Sequence, residues 1–309
     1  MNKTKRERFS SRLGFVLISA GCAVGLGNVW RFPYITGQYG GAVFVLIYLL
    51  FLITFGIPIM TMEFSVGRAS QKSAMKSFEK LEPPNTKWHF IKAIPLIGNY
   101  VLMMFYTTVA GWMVAYFIKM STGQMSGMDV KQIGNAFNGF LADPFQQIFW
   151  MLLVTISGFV ICSKGLRNGV EKISKYMMAS LFVILLILVI HSCLLSGAKE
   201  GLSFYLIPNF KAALTNYSLG EIIFAALGQA FFTLSLGIGA LAIFGSYIDK
   251  DHSLVSESIN VVILDTIVAL FSGLVILPAC FTYSIDPGRG PGLIFVTLAG
   301  TFNSMSFRT

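Results

Sequence analysis

Three polar side chains that could bind ions lie within long apolar stretches of this 309-residue chain: Asn28, Glu63 and Asp265. A buried carboxylate is costly unless it has a partner, so both acids need a role. For Glu63 the role we expect is to accept hydrogen bonds from backbone N–H groups freed at a helix break. Asp265 is interpreted either as a structural partner near a helix end or as a cation ligand.

These residues belong to a chain with the composition of a polytopic membrane protein. Hydrophobic residues make up 55% of it and charged residues 12%. Strands of alternating polarity, which an outer-membrane barrel requires, are absent from the sequence, so we predict an all-α membrane protein. Seven charge-poor windows predict seven transmembrane helices, spans 1 to 7: 13–37, 42–66, 93–118, 145–163, 176–196, 222–248 and 258–285.

Lysine and arginine predict the orientation of these spans. The N-terminus and the loops after spans 2 and 4 are rich in both residues, whereas the alternate loops hold few. The positive-inside rule therefore predicts a cytoplasmic N-terminus in a multi-pass protein of the plasma (inner) membrane. Topology also accounts for the net charge of +9, so no nucleic-acid partner is expected.

Two of the spans contain residues that interrupt helices. The segment 21–34 holds three glycines followed by Asn28, Arg31 and Pro33, and the segment 228–240 holds Thr233 and Ser235 before two further glycines. One glycine-rich span is explained by close helix packing. Two such spans, each first in a block of five, favour an inverted repeat whose broken helices meet at a transport site, because unwound backbone offers carbonyls to a cation and N–H groups to a carboxylate.

The motifs around these breaks closely resemble the neurotransmitter:sodium symporter family, particularly its bacterial amino-acid transporters. The resemblance rests on Gly25-Leu26-Gly27-Asn28-Val29-Trp30-Arg31-Phe32-Pro33-Tyr34, on Gln229-Ala230-Phe231-Phe232-Thr233-Leu234-Ser235-Leu236-Gly237, and on motifs in span 2 and after span 7. It implies the LeuT-type inverted-repeat fold as a single transmembrane domain over residues 1–309. The first repeat would cover about 13–196 and an incomplete second repeat about 219–309.

The resemblance also implies site residues. The first sodium site would take the Ala23 carbonyl and the side chains of Asn28, Thr233 and Asp265, and the second would take the carbonyls of Gly21 and Val24. An amino-acid pocket would be lined by Ala23, Leu26, Gly27, Leu102, Tyr106, Phe232, Thr233, Ser235 and Ile238. Arg31 and Gln229 would form the outer gate, and Arg6 and Tyr247 would belong to the inner gate network.

Two positions suggest the substrate and the ion requirement. Monoamine carriers of the family have Asp where this chain has Gly25, so an α-amino acid that brings its own carboxylate is favoured. Leu102, Phe232 and Ile238 would make the side-chain subsite apolar, which favours a hydrophobic or aromatic amino acid. Asp265 stands where many relatives have Asn, and its fixed charge leads us to expect sodium coupling without chloride.

Two functional hypotheses remain open at this stage. The first is a sodium-coupled amino-acid symporter that works by alternating access. The second is a C-terminally truncated fragment of such a symporter, non-transporting or serving as a membrane interaction partner, since family members have eleven or twelve spans. An enzyme is not expected, because no nucleophile–base pair, phosphate loop or metal cluster is present. A channel is not favoured, because the sequence has no evident selectivity filter.

Overall fold

The computed structural model describes residues 12–249 and 251–287, together with residues 295, 296 and 299. Helices dominate these residues, and no strand occurs among them. Five helices are long and apolar enough to cross a membrane: Ala42–Ser70, Trp88–Ser121, Pro144–Ser163, Asn168–Cys193 and Leu254–Thr282. They correspond to predicted spans 2, 3, 4, 5 and 7, so the all-α multi-pass architecture is confirmed.

The α-helices follow the order of the predicted spans, with short helices in the loops. They are α1 (Arg12–Ala23), α2 (Phe32–Gln38), α3 (Ala42–Phe51), α4 (Ile57–Ser70), α5 (Ala74–Leu81), α6 (Ala93–Ser121), α7 (Val130–Leu141), α8 (Pro144–Ser163), α9 (Lys172–Cys193), α10 (Ala198–Leu206), α11 (Phe210–Asn216), α12 (Leu219–Thr233), α13 (Ala240–Gly245) and α14 (Leu254–Thr282). Segments of π-helix join α1 to α2 and α3 to α4 and precede α9, at Gly27–Arg31, Leu52–Gly56 and Leu166–Glu171.

Spans 1 and 6 are discontinuous, as the glycine pattern predicts. Span 1 consists of α1 and α2, and the chain leaves the helix only at residues 24 and 25 before it resumes through the π-helical segment. Span 6 consists of α12 and α13, separated by turns and bends at residues 234–239. Both breaks lie within the segments 21–34 and 228–240. Pro33 does not end the second half of span 1, because the π-helical segment Gly27–Arg31 continues directly into α2, with Pro33 as its second residue.

The helices pack through small residues, as is usual where lipid removes the hydrophobic drive for helix association. A Cβ atom on Gly67 of α4 would lie 1.9 Å from the Ala242 carbonyl oxygen of α13. In the same contact, a Cβ on Gly245 would lie 2.4 Å from the Phe64 carbonyl oxygen. The two backbones therefore touch directly, and the second half of span 6, α13, is held against span 2.

The largest cluster of buried side chains lies between spans 1, 2, 6 and 7 and surrounds both breaks. Its fully buried members include Phe32, Phe44, Tyr48, Phe64 and Leu234. The Phe32 ring lies 5.0 Å from the Tyr48 ring, centroid to centroid. Because protein interiors are close-packed, this cluster fixes where the two interrupted helices face each other.

Candidate functional site

The break in span 1 is stabilised by side chains that bind the freed backbone groups. The Gly25 N–H donates to the Asn28 Oδ1 atom at 3.0 Å. The Gln229 side chain of α12 donates through Nε2 to the Gly27 carbonyl at 2.9 Å. Buried backbone groups need such partners, so the two bonds allow the chain to leave the helix at membrane depth.

A buried polar cluster joins spans 1, 6 and 7. The Asn28 Nδ2 atom donates to the Asp265 Oδ1 atom at 2.8 Å, and the Thr233 hydroxyl donates to the other carboxylate oxygen at 3.0 Å. All three side chains are completely buried. The structure thus brings together the three side chains that the resemblance assigns to the first sodium site.

Asp265 has only neutral partners in this cluster. Its carboxylate forms no ion pair with any basic side chain in the part of the chain that the structure describes. An unpaired carboxylate in a low-dielectric interior is costly, and a cation between the oxygens would remove that cost. The arrangement can therefore hold a monovalent cation.

The break in span 6 has an unusual backbone conformation and two partners in neighbouring helices. Ser235, Gly237 and Gly239 all have positive φ, at 54°, 85° and 76°. This conformation is easy for glycine and strained for serine. The Gly237 N–H donates to the Glu63 Oε1 atom of α4 at 2.6 Å. Glu63 thus accepts a hydrogen bond at a helix break, which is the contact that the sequence analysis predicts for it.

Glycines set the distance between the two broken helices. A Cβ on Gly27 would lie 3.1 Å from Cδ1 of Phe232 and 3.3 Å from the Thr233 Cα, so a larger residue would push span 6 away. A Cβ on Gly25 would meet nothing within 4 Å. There is therefore open space beside Gly25, where the carboxylate of monoamine carriers would stand.

The predicted pocket residues differ in how much they are exposed. Ala23 and Leu26 are buried, whereas Leu102, Tyr106, Phe232 and Ile238 are half-buried. The Ser235 hydroxyl donates to the Cys22 carbonyl at 3.4 Å, a second link between the breaks. Of the half-buried residues, Leu102 and Tyr106 lie on α6 of span 3, and Phe232 and Ile238 lie at or beside the span 6 break.

The two predicted outer-gate residues are in contact. Arg31 donates through Nη1 to the Gln229 Oε1 atom at 2.8 Å, and its guanidinium lies 4.6 Å from the centroid of the Phe232 ring. Of the predicted inner-gate residues, Arg6 lies outside the described residues. Tyr247 is half-buried just after α13, and its N–H donates to the Phe244 carbonyl at 3.0 Å.

The two residues predicted for the second sodium site lie against span 5. Val24 packs in a cluster with Met178 and Leu185, and a Cβ on Gly21 would lie 3.6 Å from the Met178 side chain. Val268 of α14 belongs to the same cluster, so Val24 lies among side chains of both span 5 and span 7.

The sequence analysis missed one contact at the span 6 break. The Asn99 side chain of α6 donates through Nδ2 to the Ile238 carbonyl at 2.7 Å. The signal was an amide side chain in an apolar span, three residues before Leu102 and seven before Tyr106. This spacing places all three on one helix face, although it does not reveal what Asn99 binds.

Comparisons with known proteins identify the family of this chain. The chain matches the sodium:neurotransmitter symporter family over residues 6–139 and 130–308. A sodium-dependent transporter of Bacillus subtilis, YhdH, is 36% identical over 309 residues, which cover 100% of this chain and 67% of the relative. A sodium-dependent transporter of Haemophilus influenzae is 34% identical, over 98% of this chain and 67% of the relative.

A solved structure is similar in fold as well as in sequence. The crystal structure of MhsT in complex with L-phenylalanine matches with a TM-score of 0.90 and 42% identity, over 97% of this chain and 67% of that one. The chain thus spans about two thirds of the length of these relatives. It is a multi-pass membrane protein with a LeuT-type fold, and it belongs to the sodium:neurotransmitter symporter family.

Proposed function

We propose that this protein binds Na⁺ and a hydrophobic or aromatic amino acid at its paired helix breaks. Sodium moving down its gradient would drive amino-acid import across the plasma membrane by alternating access, without chloride and with the N-terminus in the cytoplasm. Membership of a sodium-dependent transporter family supports the coupling to sodium. The choice of substrate and the independence from chloride rest on the site itself.

The observation that carries the proposal is the buried Asp265 carboxylate with neutral partners only. Asn28 and Thr233 supply an amide and a hydroxyl, which are oxygen donors without charge. Oxygen ligands at unwound helices are the usual sodium-binding groups in such transporters. With one fixed negative charge already beside the ion, a second anion is unnecessary, and this supports chloride independence.

Sodium binding would change the orientation of one side chain. The Asn28 amide now turns its Nδ2 atom toward Asp265 and its oxygen toward the Gly25 N–H. A tilt of the amide away from Asp265 would present the second lone pair of the oxygen to the ion while the first keeps the Gly25 N–H. The Ala23 carbonyl, at the end of α1, would complete the protein ligands on the span 1 side.

The amino acid would bind with its carboxylate beside the first sodium ion and the open space at Gly25. Tyr106 would donate a hydrogen bond to that carboxylate. The substrate side chain would lie between Leu102 on span 3 and Phe232 and Ile238 on span 6, where an unpaired charge would lose its hydration. The phenylalanine bound to MhsT, 42% identical to this chain, supports an aromatic substrate.

Arg31 and Gln229 would close the site on the outer side, because their hydrogen bond joins span 1 to span 6 and the Arg31 guanidinium lies over the Phe232 ring. Gln229 also donates a hydrogen bond to the Gly27 carbonyl. A movement of Gln229 that opens this gate would therefore also alter the backbone contact at the span 1 break. The inner gate would use Tyr247 with Arg6.

Purified protein in proteoliposomes tests the proposal. We expect uptake of labelled L-phenylalanine or L-leucine driven by an inward sodium gradient, at the same rate when gluconate replaces chloride. Binding of labelled amino acid in detergent separates recognition from transport. Sodium-dependent binding without uptake would retain the site and reject symport by this chain, whereas no binding at any sodium concentration would reject both.

A further inference from the structure

The short peptide Gly237–Ile238 at the span 6 break is held from two sides by different helices. Span 2 accepts the Gly237 N–H through Glu63 at 2.6 Å. Span 3 donates to the Ile238 carbonyl through Asn99 at 2.7 Å. The position of the Ile238 side chain in the pocket wall therefore depends on both neighbours, since no helical hydrogen bond fixes this part of the chain.

The direction of the Asn99 amide follows from its partners. The Nδ2 atom lies 2.7 Å from the Ile238 carbonyl oxygen and 2.6 Å from the Pro95 carbonyl oxygen. Both neighbours are acceptors, so only the NH₂ group can face them. Asn99 has two donor hydrogens, and one serves each carbonyl.

Asn99 also shares a helix face with the other wall of the pocket. Leu102 lies one turn after it and Tyr106 two turns after it on α6. A single rigid helix therefore carries Leu102, Tyr106 and the group that binds the Ile238 backbone. The hydrogen bond from Asn99 to the Ile238 carbonyl joins this helix directly to the span 6 break.

We propose that Asn99 is a specificity-determining positioning residue, which sets the width of the amino-acid side-chain subsite by holding the Ile238 carbonyl to span 3. The inference rests on the proposed function and deepens it. Asn99 does not contact the amino acid. It acts through the backbone of Ile238. Without its donor only the Glu63 contact at Gly237 holds this peptide, so the Ile238 wall can move away from Leu102.

The change in width has a defined consequence for selectivity. Apolar subsites discriminate by size, because a side chain too large for the gap must displace a wall and one too small leaves space unfilled. Asn99→Leu replaces the amide with an apolar side chain of similar size and has no N–H to donate. We expect bulky substrates such as L-tryptophan to gain affinity relative to L-valine.

The test is competition binding on the purified full chain, with labelled L-phenylalanine displaced by L-valine or L-tryptophan at saturating sodium. For Asn99→Leu the affinity for tryptophan relative to valine should rise by about tenfold. Asn99→Gln keeps the donor on a longer arm and should move the ratio back toward the wild-type value. Thr107→Ala is the matched control, because the Thr107 hydroxyl bonds only the Met103 carbonyl of its own helix.

The sodium concentration for half-maximal binding separates specificity from general damage. It should stay at the wild-type value in Asn99→Leu, because Asn99 makes no hydrogen bond with Asn28, Thr233 or Asp265. An unchanged tryptophan-to-valine ratio in this variant would overturn the inference while leaving the proposed function intact. So would an equal shift in Thr107→Ala. A wild-type chain that binds none of the three amino acids would overturn the proposed function and the inference together.

Discussion

The Asn28 amide donates hydrogen bonds to two oxygens of Asp265, a residue 237 positions later in the chain. One is the backbone carbonyl, at 3.0 Å, and the other is the carboxylate Oδ1 atom, at 2.8 Å. Asn28 thereby links the break in span 1 to the middle of α14. A cation that enters this contact would replace hydrogen bonds of both span 1 and span 7. It would also affect span 6, because Thr233 donates to the same carboxylate.

Replacement of Asp265 should separate sodium binding from stability. In Asp265→Asn the sodium concentration for half-maximal amino-acid binding should rise by about tenfold or more. The ion loses its anionic protein ligand, and the attraction of two unit charges at about 4 Å is about 4 kcal/mol at an effective dielectric constant of about 20, against about 1.4 kcal/mol for each tenfold in affinity. The melting temperature without sodium should stay the same or rise, since a buried amide costs less than an unpaired carboxylate. Sodium titrations of binding and of thermal unfolding measure the two effects.

The same variant tests the role of the fixed charge. Sodium-dependent binding by Asp265→Asn should increase when chloride replaces gluconate, because an anion can then supply the missing charge. Asp129→Asn is the control: Asp129 caps the distant helix α7, and asparagine caps helices equally well. Equal sodium requirements in the wild type and Asp265→Asn would contradict the ligand role of Asp265.

Glu63 should contribute to stability through one hydrogen bond. Glu63→Ala removes the acceptor of the Gly237 N–H and should lower the free energy of unfolding by about 1–3 kcal/mol. Glu63→Gln keeps an acceptor oxygen and should cost less. Thermal unfolding in detergent measures which variant loses more stability. Ser65→Ala is the control, because the Ser65 hydroxyl bonds only the Met62 carbonyl in its own helix. Equal losses in the alanine and glutamine variants would show that the charge matters and the acceptor does not.

The sequence predicts that spans 1 and 6 are interrupted, but not where each interruption ends. The helix breaks are marked in the sequence by the glycines, by Asn28 and by the polar residues of span 6. These residues disfavour helix where they stand, so their effect can be judged from the local sequence. Where a helix resumes depends on partners from elsewhere in the chain, such as Gln229 at the Gly27 carbonyl, so the sequence does not give the exact ends of the breaks. Asn99 escaped prediction for the same reason, since its partner lies 139 residues away.

Span boundaries also depended on interactions that hydropathy does not contain. Span 5 begins at Asn168, whereas the prediction begins at residue 176. The prediction began late because the first turns of the helix carry Lys172 and Lys175, and a window chosen for low charge excludes them. Span 2 continues to Ser70 and includes Arg68, whose guanidinium donates to the His252 carbonyl at 2.7 Å. The assignment of residues 1–309 to one domain with two repeats stays a prediction.

The direct contact between spans 2 and 6 should tolerate no side chain. Gly67→Ala would place a Cβ 1.9 Å from the Ala242 carbonyl oxygen, and both backbones would have to move apart. Overpacking of this kind costs about 1–3 kcal/mol, so the melting temperature should fall. Gly139→Ala in α7 is the matched control, because nothing lies within 4 Å of its Cβ and alanine favours the helix by about 1 kcal/mol. A fall in both variants would point to a general effect of glycine loss.

The loop between spans 2 and 3 should lose a contact in acid. The Glu82 carboxylate accepts the His89 backbone N–H at 3.0 Å, and its Oε2 atom lies 2.9 Å from the His89 Nδ1 atom. The hydrogen bond with the His89 side chain lowers the pKa of Glu82 from its ordinary value of 4.5. Because the pKa is lower in the folded state, the stabilisation is present above about pH 4.5 and is lost as the pH falls through the lowered value.

Hydrogen exchange of residues 82–92 at decreasing pH, corrected for the intrinsic exchange rate, measures this loss. Protection should fall in acid below about pH 4.5 in the wild type. In Glu82→Gln the low-protection state should already be present at neutral pH. The neighbouring pair of Glu79 and Lys92, which also lowers the pKa of Glu79, remains in that variant and limits the change to the Glu82 contact. Protection in the wild type that is independent of pH across this range would show that the Glu82–His89 contact does not order the loop.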